Sequence, residues 1–198
     1  MDLECFKKEL LTFDLVKLNL YGFIASIPII LIYGIPYYLI WSKQFSIAEL
    51  KKVNLNNELV EYSFGYSFSI VFIMLLGIII HELIHGITFS FFAKTGFKAI
   101  KFGVLWKMLT PYCHCKEPLL LKHYIIGGIM PAFILGFLPF MYSLLFGNLF
   151  WLIFAIFFTV AAFGDFYIIY LLRNESKNSL VLDHPSEVGC FVYKEKKS

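Results

Sequence analysis

The stretch "SFSIVFIMLLGIIIHELIHG", residues 67–86, decides how this chain is read. Residues 67–80 carry no charge, and Ser67 and Ser69 are the only polar side chains among them. His81, Glu82 and His85 then arrive together. An ionisable group at the centre of a membrane helix costs on the order of 3 kcal/mol. A run otherwise suited to lipid therefore keeps three such groups for a use. Residues four apart on a helix share one face, about 6 Å from each other, so both imidazoles reach a single ion. Glu82 stands beside that face. This His-Glu-x-x-His spacing predicts His81 and His85 as zinc ligands and Glu82 as the general base that takes a proton from water attacking a carbonyl. The plainer alternative is a polar contact between helices.

Outward from this stretch the chain keeps the same character. Of its 198 residues, 59% are hydrophobic and 16% charged, against about a quarter charged in soluble domains. The excess lies in four runs, approximately residues 18–41, 64–93, 124–146 and 149–172. Each is long enough for the roughly 30 Å hydrocarbon core of a bilayer. The expected fold is an α-helical integral membrane protein, a single membrane domain over residues 1–198. It has about four transmembrane helices and a cytosolic-side β-hairpin-like or re-entrant loop. Pro28, Pro36, Pro131 and Pro139 fall inside spans and predict kinks. Gly147 and Asn148 leave room only for a tight antiparallel connection between the last two spans. The opening "MDLECFKKELLTFDLVK" shows no cleavage site and reads as a short cytosolic amphipathic helix. The net charge of +3 gives no reason to expect a nucleic-acid partner.

Orientation follows from the basic residues. Residues 1–17, 94–123 and 173–198 hold 14 of the 17 Lys and Arg, leaving Lys43, Lys51 and Lys52 for the other side. The positive-inside rule places both termini in the cytosol, in the plasma membrane. Cys5, Cys113, Cys115 and Cys190 then share the reducing side and are expected as free thiols.

A catalytic zinc takes three protein ligands and keeps one open position. Between residues 64 and 172 the acidic side chains are Glu82, Glu117 and Asp165. Glu117 falls in a charged loop, whereas Asp165 sits in the fourth span, "FTVAAFGDFYIIYLLRN", with no neutralising neighbour in sequence. Asp165 is 8 residues from Arg173, and His85 is 9 from Lys94, so both lie roughly 12–14 Å along their helices from the same membrane face. Asp165 is therefore the expected third ligand, with a hydrogen bond to a neighbouring Tyr or Ser as the alternative. Gly164 would let another helix approach closely. Asp183 is a weaker candidate, ten residues or so past the fourth helix and expected in water. Cys113, His114 and Cys115 in "PYCHCKEP" are adjacent and read as ordinary side chains rather than a second site. His123 reads as an interfacial or supporting residue and His184 as part of the turn "DHPSE".

Residues 97–109, "FKAIKFGVLWKML", alternate with period two. Ile100, Phe102, Val104, Trp106 and Met108 lie on one face, and Lys101, Gly103 and Lys107 on the other, the pattern of a half-buried strand. Such a strand could offer its edge to an unfolded substrate or simply anchor the interface with Trp and Lys. Val188, Cys190 and Val192 alternate likewise in the tail, which could pair with this loop strand and cap the site.

A zincin motif inside a membrane helix, with an Asp from a later helix, resembles the site-2 proteases. A closer likeness is to a family of small bacterial membrane zincin peptidases. It is carried by "HELIHG", the Gly-Asp pair at 164–165 and the tail "VLDHPSEVGCFVY", over about residues 70–193. The resemblance implies His81, His85 and Asp165 as ligands, Glu82 as catalyst, and substrates that are membrane proteins or peptides in or beside the lipid bilayer. One departure limits it. The Asn and Pro that precede the ligand Asp in site-2 proteases have no counterpart between Phe150 and Asp165, so no oxyanion-stabilising residue is transferred. The expected function is an intramembrane zinc metalloprotease. The alternatives are a catalytically inactive membrane scaffold, against which the presence of Glu82 argues, and a zinc-handling membrane protein.

Overall fold

The computed structural model describes residues 6–12, 14–45, 59–106, 110–184 and 189–195. Cys5, Lys51, Lys52, Lys107, Met108 and Val188 lie outside them. Strand β1 (Phe6–Thr12) leads into helix α1 (Leu15–Trp41), and α2 (Leu59–Phe92) carries the His-Glu-x-x-His run. Strands β2 (Ile100–Leu105) and β3 (Thr110–Cys115) form an antiparallel hairpin, followed by the short β4 (Leu119–Leu120). Helix α3 (Leu121–Pro131) passes through a π-helical segment, Ala132–Phe137, into α4 (Leu138–Phe146). Helices α5 (Leu149–Ala161) and α6 (Phe163–Leu171) are separated by a turn at Ala162. Strands β5 (Leu180–Asp183) and β6 (Gly189–Glu195) close the chain.

Four helical stretches, Lys17–Phe45, Phe68–Phe92, Leu121–Phe146 and Leu149–Asn174, are long and apolar enough to cross a membrane. Helix α1 is the most peripheral: Phe23 and Leu39 are each 72% exposed, an apolar surface that suits lipid rather than water. Among its described side chains the one well-buried anchor is Tyr37, whose hydroxyl reaches the Gly147 carbonyl at 2.8 Å. Trp41 Nε1 donates to the Leu144 carbonyl at 3.0 Å nearby. These bonds clamp the tight α4–α5 turn, where Gly147 takes a left-handed φ of 67° and Asn148 caps α5. That turn is as short as the sequence requires.

All β structure gathers at the opposite end. The four-stranded sheet has the order β1-β6-β5-β4 and is antiparallel throughout. It therefore ties the start of α1, the start of α3 and the segment after α6 into one layer. A buried core of Phe89, Ile100, Leu121, Tyr124, Leu172, Val181 and Val192 joins this layer to the helix ends. Where α2 ends, Glu117 accepts from the main-chain N–H of Lys94 at 2.7 Å and from Thr95, satisfying donors that a helix terminus leaves open.

Several expectations change here. The opening segment is strand β1, not an amphipathic helix. All seven of its residues pair with β6, from Phe6 opposite Glu195 to Thr12 opposite Gly189, and the ladder overrides local helical preference. Gly189 has a φ of 146°, and a side chain there would collide with the Leu11 carbonyl; glycine alone fits this conformation. The tail strand β6 pairs with β1 and β5, not with the loop strand. The loop begins with a 3₁₀ turn, Gly96–Ala99, so its strand starts at Ile100. Among the described residues of its apolar row only Ile100 is buried, while Trp106 is 79% exposed.

Candidate metal centre

Helix α2 brings His81 and His85 to one face as the four-residue spacing requires. Both are buried, with ring centroids 4.9 Å apart. Asp165, in the first turn of α6, reaches both: Oδ2 lies 3.3 Å from His81 Nε2, and Oδ1 lies 3.3 Å from His85 Nε2. Among the described residues, these three form the one group of His, Cys, Asp and Glu side chains whose ligand atoms converge, all within 4.8 Å of one another.

Three small residues make this convergence possible. Gly86 follows His85, and a side chain there would collide with Phe102 and Ile100 of β2, so its absence seats the hairpin directly on α2. Gly127 and Gly128 of α3 receive the other two elements. Phe89, one turn beyond His85, occupies the space a Gly127 side chain would take. Ile169, one turn beyond Asp165, comes within 3.0 Å of the Cβ position of Gly128. The glycine pair thus fixes how close α2 and α6 stand to α3, and through them the spacing of the three ligand candidates. The sequence reading missed this pair. Its signal was the doubled small residue in "YIIGGIMP". Gly164 makes no such close approach: a Cβ there would meet only Leu18, at an ordinary 4.0 Å.

His85 Nδ1 lies 2.9 Å from the Gly127 carbonyl oxygen. A carbonyl only accepts, so Nδ1 carries a proton; the neutral ring then turns the lone pair of Nε2 toward Asp165, and a doubly protonated ring donates to it. His81 Nδ1 is buried with no hydrogen-bond partner. Two Nε2 atoms therefore face one carboxylate. Two neutral imidazoles turned this way would set lone pairs against the carboxylate's oxygens, an arrangement that a cation between them relieves. The chemistry and spacing fit zinc, because ligands about 2.0–2.1 Å from a tetrahedral ion stand about 3.3 Å apart. Two imidazoles and one carboxylate leave the fourth position for substrate.

Glu82 is half-buried beside this group, within electrostatic range of His85, His81 and Asp165, and it accepts from the Cys113 main-chain N–H of β3. The hairpin thereby holds the carboxylate one residue along from the first histidine. Asp183 belongs elsewhere and is not in water as expected. It accepts from the Cys115 N–H at 2.8 Å and from the Tyr124 hydroxyl at 2.6 Å, and burial pushes its carboxyl above the usual range. His123 stacks on Phe92 at 4.1 Å, away from the group. His114 pairs across the hairpin with Lys101, and burial lowers its pKa. Cys113, Cys115 and Cys190 are free thiols. Burial raises all three, Cys115 to about 11 and Cys190 to about 12. They are therefore protonated at neutral pH.

No curated protein and no solved structure matches the chain. Residues 74–180, which hold the His-Glu-x-x-His run, the hairpin and Asp165, match the model of a family described as "Putative zincin peptidase". That match covers more than half of the chain, and the protein belongs to this zincin peptidase family.

Proposed function

We propose that this protein is an integral-membrane zinc metallopeptidase that hydrolyses peptide bonds in membrane-embedded or membrane-adjacent substrates. The observation that carries the reading is the approach of both Nε2 atoms to the Asp165 carboxylate at 3.3 Å, with Glu82 next in sequence to His81, in a chain of the zincin peptidase family. His81, His85 and Asp165 would hold zinc. The ion, when bound, supplies Lewis acidity that polarises a carbonyl and makes water nucleophilic near neutral pH. Glu82 takes the proton that water loses as its oxygen bonds to the carbonyl carbon. It returns that proton to the amide nitrogen as the C–N bond breaks, which balances the reaction. Asp165 is 23% exposed, so water has access to the site.

The sheet end of the bundle carries the excess of Lys and Arg, which supports a cytosolic placement for it and for both termini in the plasma membrane. The hairpin narrows where an extended substrate pairs. The bond from Lys116 N to Ala99 O and the register of β2 with β3 turn the N–H groups of Cys113 and Cys115 outward. Glu82 and Asp183 take those donors, and Pro111, next along the same edge, has none. This leaves the outer edge of β2, at Phe102 and Val104, for strand addition.

The test is zinc content per chain in detergent-purified protein, for wild type beside Glu82→Gln, His85→Ala and Asp165→Ala. One zinc in wild type and Glu82→Gln but not in the other two, with cleavage of membrane substrates abolished in Glu82→Gln, is the expected result. A wild type that takes up no zinc on reconstitution would overturn the reading. Zinc binding with cleavage unaffected by Glu82→Gln would remove Glu82 from it.

A further inference from the structure

The carbonyl that His85 uses is available because of a proline. In an α-helix the carbonyl of residue i accepts from the N–H of residue i+4. For Gly127 that residue is Pro131, which has no N–H. The next main-chain donor, the Ala132 N–H, goes instead to the Ile129 carbonyl. The Gly127 carbonyl is thus left without a donor from its own helix, and His85 Nδ1 supplies one at 2.9 Å. Gly127 is buried, its missing side chain admitting Phe89, so no path for water is needed to satisfy the oxygen.

We propose that Pro131 is a positioning residue for the metal centre. By emptying the Gly127 carbonyl it fixes the His85 tautomer with Nδ1 protonated and Nε2 free to bind, and it holds the ring's orientation. The inference rests on the zinc reading above and deepens it. A ligating histidine generally donates its second ring N–H to a carboxylate, carbonyl or water, and loss of that partner weakens metal affinity about 10–100-fold. His81 shows the contrast, since its Nδ1 is buried without a partner. The ring held by the helix on its far side is therefore His85 alone. In Pro131→Ala an N–H returns at position 131 and competes for the same oxygen. The other proline of this span, Pro139, lies in the first turn of α4 beyond the π-helical segment and provides the control.

The experiment is chelator competition for zinc on the full-length protein in detergent, for wild type, Pro131→Ala and Pro139→Ala. It is combined with nitrogen-15 NMR of the zinc-loaded, histidine-labelled wild type. The expected result is about tenfold weaker zinc binding in Pro131→Ala and a change within about twofold in Pro139→Ala. In wild type, His85 should be metallated at Nε2 with a hydrogen-bonded Nδ1–H. Equal affinity in Pro131→Ala would overturn the inference while leaving the zinc centre standing. So would a wild-type His85 metallated at Nδ1, a reading that stands even where the proline variant does not fold. A wild type without zinc affinity would remove the centre itself, and the inference with it.

Discussion

Two half-buried aspartates, 18 residues apart, settle their charge in opposite ways. Asp183 has donors on both oxygens, the Tyr124 hydroxyl at 2.6 Å and the Cys115 N–H at 2.8 Å. Asp165 has the Nε2 atoms of His81 and His85, each at 3.3 Å. The Nδ1–H of His85 is committed to a carbonyl, so in the neutral ring its Nε2 is a lone pair, free for a cation. Asp183 is therefore complete as a structural group and needs nothing more. Asp165 instead faces two imidazole nitrogens that could share a metal ion with it. The difference separates a carboxylate faced by two imidazoles from one satisfied by a hydroxyl and a main-chain N–H.

The sharpest way to break the comparison is to neutralise each aspartate in turn. Asp165→Asn should weaken zinc binding by more than about 100-fold, or about 3 kcal/mol, measured by chelator competition. The same change at Asp183 should leave zinc affinity within about threefold, since it removes no ligand. Its cost should fall on folding, about 1–3 kcal/mol, because the new amide sets an N–H₂ against one of two existing donors. Equal losses of zinc from both variants would show that the two carboxylates act as one site.

Metal removal separates them further. A ligand that binds only the folded state stabilises it by about 2.7 kcal/mol when present at a hundred times its dissociation constant. Stripping zinc should therefore lower the apparent thermal midpoint of wild type and of Asp183→Asn, but leave that of Asp165→Asn where it already lies. Tyr124→Phe makes a smaller test, because it removes one of the two donors to Asp183 and leaves the Cys115 bond. A loss of about 1 kcal/mol with unchanged zinc affinity is expected.

The same contrast explains what the sequence revealed and what it hid. His81, Glu82 and His85 were legible because helix periodicity converts their spacing into one face. Asp165 was legible because so few acids lie in the apolar runs that it stood out. The four long helices follow from composition alone. Asp183 was misread as solvated because its partners, the Cys115 N–H of β3 and the Tyr124 hydroxyl of α3, lie 68 and 59 residues away in sequence. Strand β1 was misread because "FKKELLT" suits a helix or a strand equally, and its partner lies some 185 residues away, as the Glu9–Lys194 pair shows. The role of Gly127 is carried by a carbonyl oxygen, which every residue has. Only the proline four positions on makes it different.

A third carboxylate extends the series with a third solution. Glu9 of β1 is paired with an ammonium: Lys194 Nζ lies 2.6 Å from it and also 2.9 Å from Glu175, and Lys7 stands 3.0 Å away. The cluster links β1, β6 and the segment after α6. The hydrogen bond from Lys194, then that from Lys7, holds the Glu9 carboxyl below its ordinary value of 4.5. A carboxyl depressed in the folded state contributes stability above its unfolded pKa and loses it as pH falls through the folded one. The gap in thermal midpoint between wild type and Glu9→Gln should accordingly be present at pH 7 and close on acidification below about pH 4. It should also shrink in 1 M salt, because the pair is partly open to solvent and its attraction is screened. This is the smallest effect of the series. A gap unchanged from pH 7 to pH 3 would mean that β1 is held by its main-chain ladder to β6 alone, with the ion pairs as bystanders.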